Sequence, residues 1–423
     1  MSDSPAAPLT VGPNPQQSDS RIGYADRPGL TGLIVRNFFL TLVSLGFYRF
    51  WARARLRRYF WSNILVASEP LEYTGTGLEL FIGFLIAIAI VGPFGIAYVI
   101  LQRVMLGNPI AEAILNVCYI VALFLFVQIV VFRARRYRLS RTAWRGIYAA
   151  QTGSAWRYLA LSVLYSLLTL VTLGLAVPWR SVALERYKIE HSWFGESRFS
   201  LDAKASDLFL RWLLVMALLA IPVLAFIAIN RTVFPELAHL PAQANQAAIA
   251  MPHFSAKWLL FFSGLVGGPA LVWYWVASFR YITSHTRLGE IRLLSAAQGS
   301  SVLKTILLFA LGVVGVSVGF VLVFFTLGQM FAMTAFALIG GKAATGTSMV
   351  SAIVVAMAFL LPMYLGIAVV FQIISYWWLR VPILRHLATT IEVENLSAIA
   401  KILQSAKPRQ RFGVADSFDI GAI

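Results

Sequence analysis

The densest chemistry in the chain is a run of guanidinium groups. Arg49, Arg53, Arg55, Arg57 and Arg58 fall inside RFWARARLRRYFW, between two apolar stretches. A guanidinium offers five N–H donors in a planar fork that matches phosphate and carboxylate oxygens two at a time. Such a cluster can bind anions, above all lipid head groups. Arg136, Arg186 and Arg280 each precede a tyrosine, as Arg58 does, and join the candidate anion- or lipid-binding set. On a helix turning about 100° per residue, Arg49, Arg53 and Arg57 share one stripe while Arg55 and Arg58 lie nearly opposite. One stripe can meet lipid phosphates. The other faces protein and needs an internal partner, because an unpaired buried guanidinium is costly. Arg58 recurs in every copy of the pattern, so it is the better candidate for that internal role, with Glu72 as its nearest attractive partner.

A second chemical feature follows directly: Glu72-Tyr73-Thr74-Gly75-Thr76-Gly77. Gly75 and Gly77 permit close backbone approach, so the turn is a candidate anion nest of backbone N–H groups. The simpler reading is a turn plus helix cap, with Thr74 or Thr76 as the capping hydroxyl. Leu71–Thr74 reads as a short strand, paired with Ile64–Ala67 across Ser68–Pro70. No Gly-Lys-Ser/Thr ending follows, so this is not a Walker loop.

Other chemistry is missing from the pattern. The histidines His191, His239, His253, His285 and His386 show no metal spacing, and His191 and His285 are expected to cap helix-end carbonyls. The single cysteine, Cys118, excludes an intrachain disulfide and a multi-thiolate site. No serine elbow or Cys–His pair is evident. We expect no catalytic residue, no metal and no cofactor: not an enzyme. Acidic groups are absent from the apolar runs, which argues against a simple proton antiporter. Gln128, Gln372, Ser375 and Asn116 are expected to make interhelical hydrogen bonds.

The elements that must position these groups are membrane helices. Of 423 residues, 59% are hydrophobic and 13% charged, and the mean hydropathy is +0.75. That composition belongs to the membrane class. The formal charge of +17 would suggest nucleic acid in a soluble protein. Here the basic residues flank apolar spans, so anionic lipid head groups are the expected partner and nucleic acid is not. A homo-oligomer or a membrane partner is compatible with this surface. Runs near 20 apolar residues mark six spans: Leu78–Leu101, Ala113–Phe132, Leu208–Ile229, Trp258–Phe279, Val302–Leu327 and Met349–Leu379.

Two further apolar segments, Leu30–Tyr48 and Tyr158–Val177, end in the same break, Gly46–Trp51 and Gly174–Trp179. A shift of 128 residues superposes Thr41-Leu42-Val43 on Thr169-Leu170-Val171, Trp51 on Trp179 and Arg58-Tyr59 on Arg186-Tyr187. Looser copies stand at Arg136-Tyr137, Arg280-Tyr281 and Arg385-His386, which argues for duplication of a helical hairpin. Segments around the five motifs hold 28 of the 35 Lys+Arg. The positive-inside rule therefore puts all five motifs, the basic loops and the C-terminus in the cytoplasm. Tyr158–Val177, and by the repeat Leu30–Tyr48, must then dip in and return, shielded by neighbouring helices. Three full spans per inverted repeat is the rival arrangement.

The expected fold class is an all-α polytopic membrane helical bundle with internal repeats: about six full spans plus two re-entrant or interfacial helices. The expected organisation is a disordered tail at 1–28, repeat 1 at 29–156 and repeat 2 at 157–300. A C-terminal helical hairpin with a basic end spans 301–406, and a disordered tail 407–423. The loop Asn230–Lys257, with three prolines, is expected to be irregular.

The run LTLVSLGFYRFWARARLRRYFWSNI, followed by LEYTGTGLELFIGF, resembles the YjgN-like family of bacterial inner-membrane proteins. The resemblance covers roughly Gly29 to Lys401 and is strongest over Leu40–Phe84. It implies a multi-pass protein of the bacterial cytoplasmic membrane and supplies no activity, substrate or catalytic residue. The second copy departs from the pattern, with Phe199-Ser200-Leu201 where a Tyr-Thr-Gly-Thr-Gly turn would stand. The function expected is transport or channel-like handling of an anionic or amphipathic small molecule or lipid. The alternative is a non-catalytic membrane-organising or assembly protein that binds anionic lipids and a protein partner.

Overall fold

The computed structural model describes residues 20–237, 242–339 and 363–402. Ten α-helices run through them: α1 Leu30–Val43, α2 Arg49–Asn63, α3 Gly77–Val104, α4 Pro109–Ser140 and α5 Ala155–Val171. There follow α6 Val177–Glu190, α7 Ser206–Leu237, α8 Ala242–Ser284, α9 Gly299–Ile339 and α10 Met363–Thr389. Among the described residues six segments are long and apolar enough to cross a membrane: α3, α4, Ser206–Ile227, Phe261–Ser284, Gly299–Met330 and α10. They match the six expected spans, except that 349–362 lie outside the described residues. α1 and α5 are shorter and apolar.

Two expectations about irregular structure fail. Asn230–Lys257 is helical up to Leu237 and again from Ala242, because the Ala/Gln-rich stretch has high helix propensity. The chain is also not all-α. The inward helix ends run into short strands: β1 Gly23–Tyr24, β2 Ile64–Val66, β3 Glu69–Pro70, β4 Glu72–Tyr73, β5 Thr142–Trp144 and β6 Ile147–Gln151. β7 Ser192–Phe194, β8 Ser197–Leu201, β9 Thr286–Leu288, β10 Ile291–Ser295 and β11 Ile391–Glu394 complete the set. Two-residue turns close the hairpins. Ala67 and Ser68 (φ 50° and 63°) and Arg145 and Gly146 (φ 51° and 75°) are both left-handed, the primed geometry that suits strand twist. Gly195 and Gly289 supply the positive φ in the next two.

β4 to β11 form one antiparallel sheet in sequence order. Its β11 edge pairs with residues 20–22 through Ile22 N–H to Ile391 O (3.0 Å) and Val393 N–H to Ser20 O (2.6 Å). The same segment continues as β1, which pairs with β2, and β2 pairs with β3. Since β3 and β4 are separated by Leu71 alone, chain continuity there joins the three-stranded and eight-stranded sheets into a closed circuit. Residues 20–24, at the end of the stretch read as a tail, are therefore part of this layer. The expected partner of Ile64–Ala67 is displaced: β2 turns at Ala67-Ser68 onto β3, and β4 pairs with β5.

The circuit holds the ends of α2, α4, α6, α8 and α10 at one side. α5 leaves β6 and α6 returns to β7, and these strands pair directly, Ala149 with Phe194 and Gln151 with Ser192. The 17-residue α5 and 14-residue α6 thus go out and come back to one layer. The turn between them has Leu173 at φ 48° and Gly174 at φ 94°, with Gly174 N–H bonded to Thr169 O (2.7 Å). Its counterpart has Leu45 at φ 50°, Gly46 at φ 93° and Gly46 N–H bonded to Thr41 O (2.7 Å). This is a helix stop in which a left-handed residue lets the next amides reach back to orphan carbonyls. The Ser44 and Thr172 hydroxyls then accept from Tyr48 N–H (2.8 Å) and Ala176 N–H (3.1 Å), each the residue just before the following helix.

The molecule comprises two compact units. One contains Arg53–Gly299, with the described parts of Met1–Ala25 and Leu387–Ala422, and so holds the strand circuit. Its cores are small clusters, such as Leu208, Ala203, Val182, Ile189 and Leu201 beneath α6 and β8. The other unit contains Asp26–Ala52 and Ser300–His386. Within it α10 carries a π-helical turn at Ser375–Arg380. That turn brings Trp377 Nε1–H to Thr31 Oγ1 (3.0 Å), while Arg385 pairs with Asp26. A side chain at Gly312 would strike the Trp378 ring at 2.3 Å, so glycine is required there.

Candidate functional site

α6 carries the chemistry of the site. Pro178 stands in its first turn, where a missing N–H costs nothing, and the helix ends at His191. Val177, Arg180, Ser181, Leu184, Glu185 and Lys188 recur at three- and four-residue spacing and so form one stripe. That stripe walls a cavity of about 920 Å³. A similar stripe of α8 faces it, including Leu271, Tyr274, Trp275, Ser278 and Phe279. Arg135 of α4 and Tyr158 of α5 close a third side, and β7 to β11 contribute one residue each.

Three cations and one carboxylate line this space: Arg135, Arg180, Lys188 and Glu185. Lys188 Nζ–H donates to Glu185 at 2.5 Å. Burial pushes the Lys188 ammonium below the usual lysine range, and Glu185 pulls it part of the way back. Arg180 Nε–H donates to Ser166 Oγ on α5 at 3.1 Å. Arg135 has Glu185 within electrostatic reach, yet its buried Nε has no hydrogen-bond partner. The hydroxyls of Tyr274 and Ser278 are buried and make no well-formed hydrogen bond, although they lie beside each other and Ser181. Polar groups left in this state cost free energy.

None of the arginines singled out from the sequence lines the cavity. Arg58 donates to Gly75 O (3.2 Å), Arg136 to Gly153 O, and Arg186 to Ala203 O (2.5 Å). Each reaches the backbone where a strand gives way to the next helix. The partner of Arg58 is thus a carbonyl and not the exposed Glu72. The tyrosine of each motif grips the preceding connection. Tyr187 Oη takes Ser154 N–H and donates to Ser154 O, both 2.9 Å. Tyr281 Oη takes Lys204 N–H (2.9 Å) and donates to Asp207 (2.6 Å), and Tyr137 Oη donates to Glu79 (2.7 Å). Arg141 adds a 2.8 Å ion pair to Glu79.

The other arginines are placed as follows. Arg57 is buried, with Nη1 3.4 Å from Tyr73 Oη. Arg49 lies over the Phe50 ring, Arg53 and Arg55 are half-buried, and Arg280 is exposed. In the turn, Tyr73 is buried against Trp61, Thr74 N–H goes to Arg141 O (2.9 Å), and Thr76 Oγ1 caps α3 by accepting Glu79 N–H (3.3 Å). A side chain on Gly75 would meet the Tyr73 ring at 2.5 Å. The helix buries Gly77 at its first position.

His191 and His285 do cap carbonyls, with Nδ1 2.7 Å from Tyr187 O and 2.8 Å from Tyr281 O. A carbonyl only accepts, so Nδ1 carries the proton in both. Gln128 accepts from Ser162 on the neighbouring helix (2.9 Å) and Asn116 from Tyr98 (2.8 Å). Ser375 instead bonds its own helix at Gln372 O. Among the described residues no group of three or more His, Cys, Asp or Glu could hold a metal ion.

The cavity residues escaped the sequence reading. Arg135 sits one residue before a motif arginine, and Glu185 and Lys188 bracket Arg186-Tyr187. The signal that could have found them is the apolar-polar stripe of α6, which is hidden because the motif residues occupy the opposite side.

A polytopic helical protein whose helix ends are tied by hairpins into one sheet is what these observations define. The chain belongs to the family described as bacterial protein of unknown function (DUF898), whose model matches residues 26–327. It is similar to the inner membrane protein YjgN of Salmonella typhimurium, 41% identical over 54 residues, which are 13% of this chain and 14% of that protein. The chain therefore spans about one-seventh of the length of the curated relative it matches. No solved structure matches.

Proposed function

We propose that this chain is a multi-pass protein of the bacterial inner membrane that binds an anionic or amphipathic small molecule or lipid and moves it, without catalysing a reaction on it. The observation that carries this reading is the cationic cavity, where Arg135, Arg180 and Lys188 outnumber Glu185. The location is supported by the six apolar helices and by the similarity to a protein named for the inner membrane. Orientation follows from charge: the hairpin side, rich in Lys and Arg, faces the cytoplasm. Residues 29–156 and 157–300 descend from one duplicated unit, which the 128-residue shift and the two like helix stops support; 301–406 is a further hairpin. α5–α6 and α1–α2 are re-entrant pairs, and the exposed basic ends contact anionic lipid head groups.

Purified protein in sealed proteoliposomes tests the reading. Anion or lipid flux that falls in Arg180→Ala, with folding retained, supports it. Protein that folds, binds lipid and gives no flux with any anionic substrate sinks it. That result would favour a membrane-organising protein holding anionic lipids and a membrane partner or a second copy, for which the exposed arginines such as Arg280 are the motive.

A further inference from the structure

We infer that the α6–α8 cavity takes a single-chain amphiphile with a phosphate or carboxylate head, the head between Arg135 and Arg180 and the chain along Leu271, Trp275 and Phe279. This rests on the ligand-binding part of the function proposed above and gives that site its substrate class.

The head-group end is built for two oxygens. Arg135, Arg180 and Tyr158 all line this cavity. The buried Nε of Arg135 has no hydrogen-bond partner, and Arg180 spends one donor on Ser166. Both therefore keep N–H groups for a bidentate anion. The buried hydroxyls of Tyr274 and Ser278 supply neutral donors in the same cavity. Glu185 is the resident counter-ion. It holds Lys188 at 2.5 Å and balances Arg135 at longer range, so the three cations are partly neutralised within the protein.

The remainder of the cavity suits a hydrocarbon chain. Leu271, Trp275 and Phe279 are four residues apart, so they line up along about 12 Å of α8. Trp275 and Phe279 stack at 6.4 Å. A free inorganic anion would leave this apolar wall and most of the 920 Å³ unfilled. The volume lies within the range of small-molecule pockets and accommodates a head with one chain.

The test is equilibrium binding to the full chain in nanodiscs of zwitterionic lipid, read by displacement of a fluorescent fatty acid. Competitors are oleate, lysophosphatidate, inorganic phosphate, zwitterionic lysophosphatidylcholine and two-chain phosphatidate. Oleate and lysophosphatidate should displace the probe, and the other three should not. Arg135→Ala and Arg180→Ala should each weaken binding about tenfold or more, with Arg135→Lys intermediate. Glu185→Gln should tighten it several-fold. Melting temperatures measured on the same samples separate lost binding from lost folding. Equal displacement by inorganic phosphate, by the zwitterionic lipid or by the two-chain lipid would overturn the inference, as would variants that fold and bind like wild type. Binding without flux would leave the ligand class standing and remove transport. Flux of other anions without amphiphile binding would do the reverse.

Discussion

The guanidinium of Arg186 donates to the carbonyl of Ala203, 17 residues ahead, and the same interval separates Arg58 from Gly75 and Arg136 from Gly153. Each bond spans one hairpin and fixes where its second strand hands over to a helix. The tyrosine beside the arginine ties its own helix to the previous handover: Tyr187 to Ser154 and Tyr281 to Lys204. Neighbouring hairpins are therefore locked in series. The arginine-tyrosine motif is the joint of the strand circuit, while the cavity lies on the opposite side of α6.

Arg186→Ala should destabilise the protein by about 0.5–1.5 kcal/mol, the range for a hydrogen bond to a charged group discounted because the Arg186 side chain is about half exposed. Arg186→Lys should recover only part, since one ammonium cannot copy the reach of the fork. Arg58→Ala should cost less, because its bond to Gly75 O is longer, 3.2 Å against 2.5 Å. Thermal unfolding in detergent checks the order; equal melting temperatures for all three would show that the joint carries no stability.

Gly75→Ala should be more damaging than its size suggests. The added carbon would sit 2.5 Å from the Tyr73 ring, and that ring is buried against Trp61 with little room to move. We expect a loss of about 1–3 kcal/mol from overpacking. Adding Tyr73→Leu should rescue part of it in a double-mutant cycle. A fully additive double mutant would refute the steric account.

These two joints show how much was legible in the sequence. The recurrence of Arg58 points to an internal partner; in the structure its side chain is exposed and reaches the Gly75 carbonyl. Its partner was misplaced onto Glu72, because a carboxylate is visible in a sequence and a free carbonyl at a strand end is not. The helix stops were readable at Gly46 and Gly174. The spans follow from hydropathy, which the bilayer dictates. The sheet was missed because strands of two to five residues, such as Thr142–Trp144, carry too short an alternation to stand out beside 30-residue apolar helices. The turn dipeptides Arg145-Gly146 and Gly195-Glu196 were the available clue. The cavity was illegible because it depends on α6 and α8 facing each other across distant chain positions.

The ion pair between Glu69 and Arg145 joins the β3 strand to the β5–β6 turn, with Nε at 2.6 Å from the carboxylate. Its hydrogen bond to Arg145 holds Glu69 below the ordinary 4.5. A lowered folded-state value means the unfolded chain binds the proton more readily. The pair's contribution is therefore present above the ordinary value and is lost as pH falls through the folded one. Melting temperature should drop more steeply for wild type than for Glu69→Gln between about pH 6 and about pH 3. Parallel curves would show that the pair is not formed in solution. Both groups are exposed, so the difference should shrink in high salt.

Leu173 adopts φ 48° with a side chain 89% exposed at the tip of α5–α6. A left-handed leucine costs about 1–2 kcal/mol, and the exposed side chain makes little contact within the protein to offset it. Leu173→Gly should relieve the strain, less the entropy glycine gains when unfolded, for a net stabilisation of about 0.5 kcal/mol. Leu173→Ala keeps the strain and should not stabilise. A destabilised Gly variant would mean that the leucine side chain is held by something at the tip, bilayer included.

The strand circuit makes a topological demand that chemical labelling can check. Ser68, Glu196 and Glu290 lie at three hairpin turns or beside them, whereas Asn108 lies in the tight turn between α3 and α4. α3 is 28 residues long, about 42 Å, enough to carry Asn108 across a bilayer from the hairpins. Cysteines placed singly at these sites, in a Cys118→Ser background, should divide three to one. The hairpin cysteines should react from the cytoplasmic side and Cys at Asn108 from the other. Opposite accessibility for Ser68 and Glu196 would mean that α5 and α6 do not return to the face they left, and the re-entrant arrangement would fall.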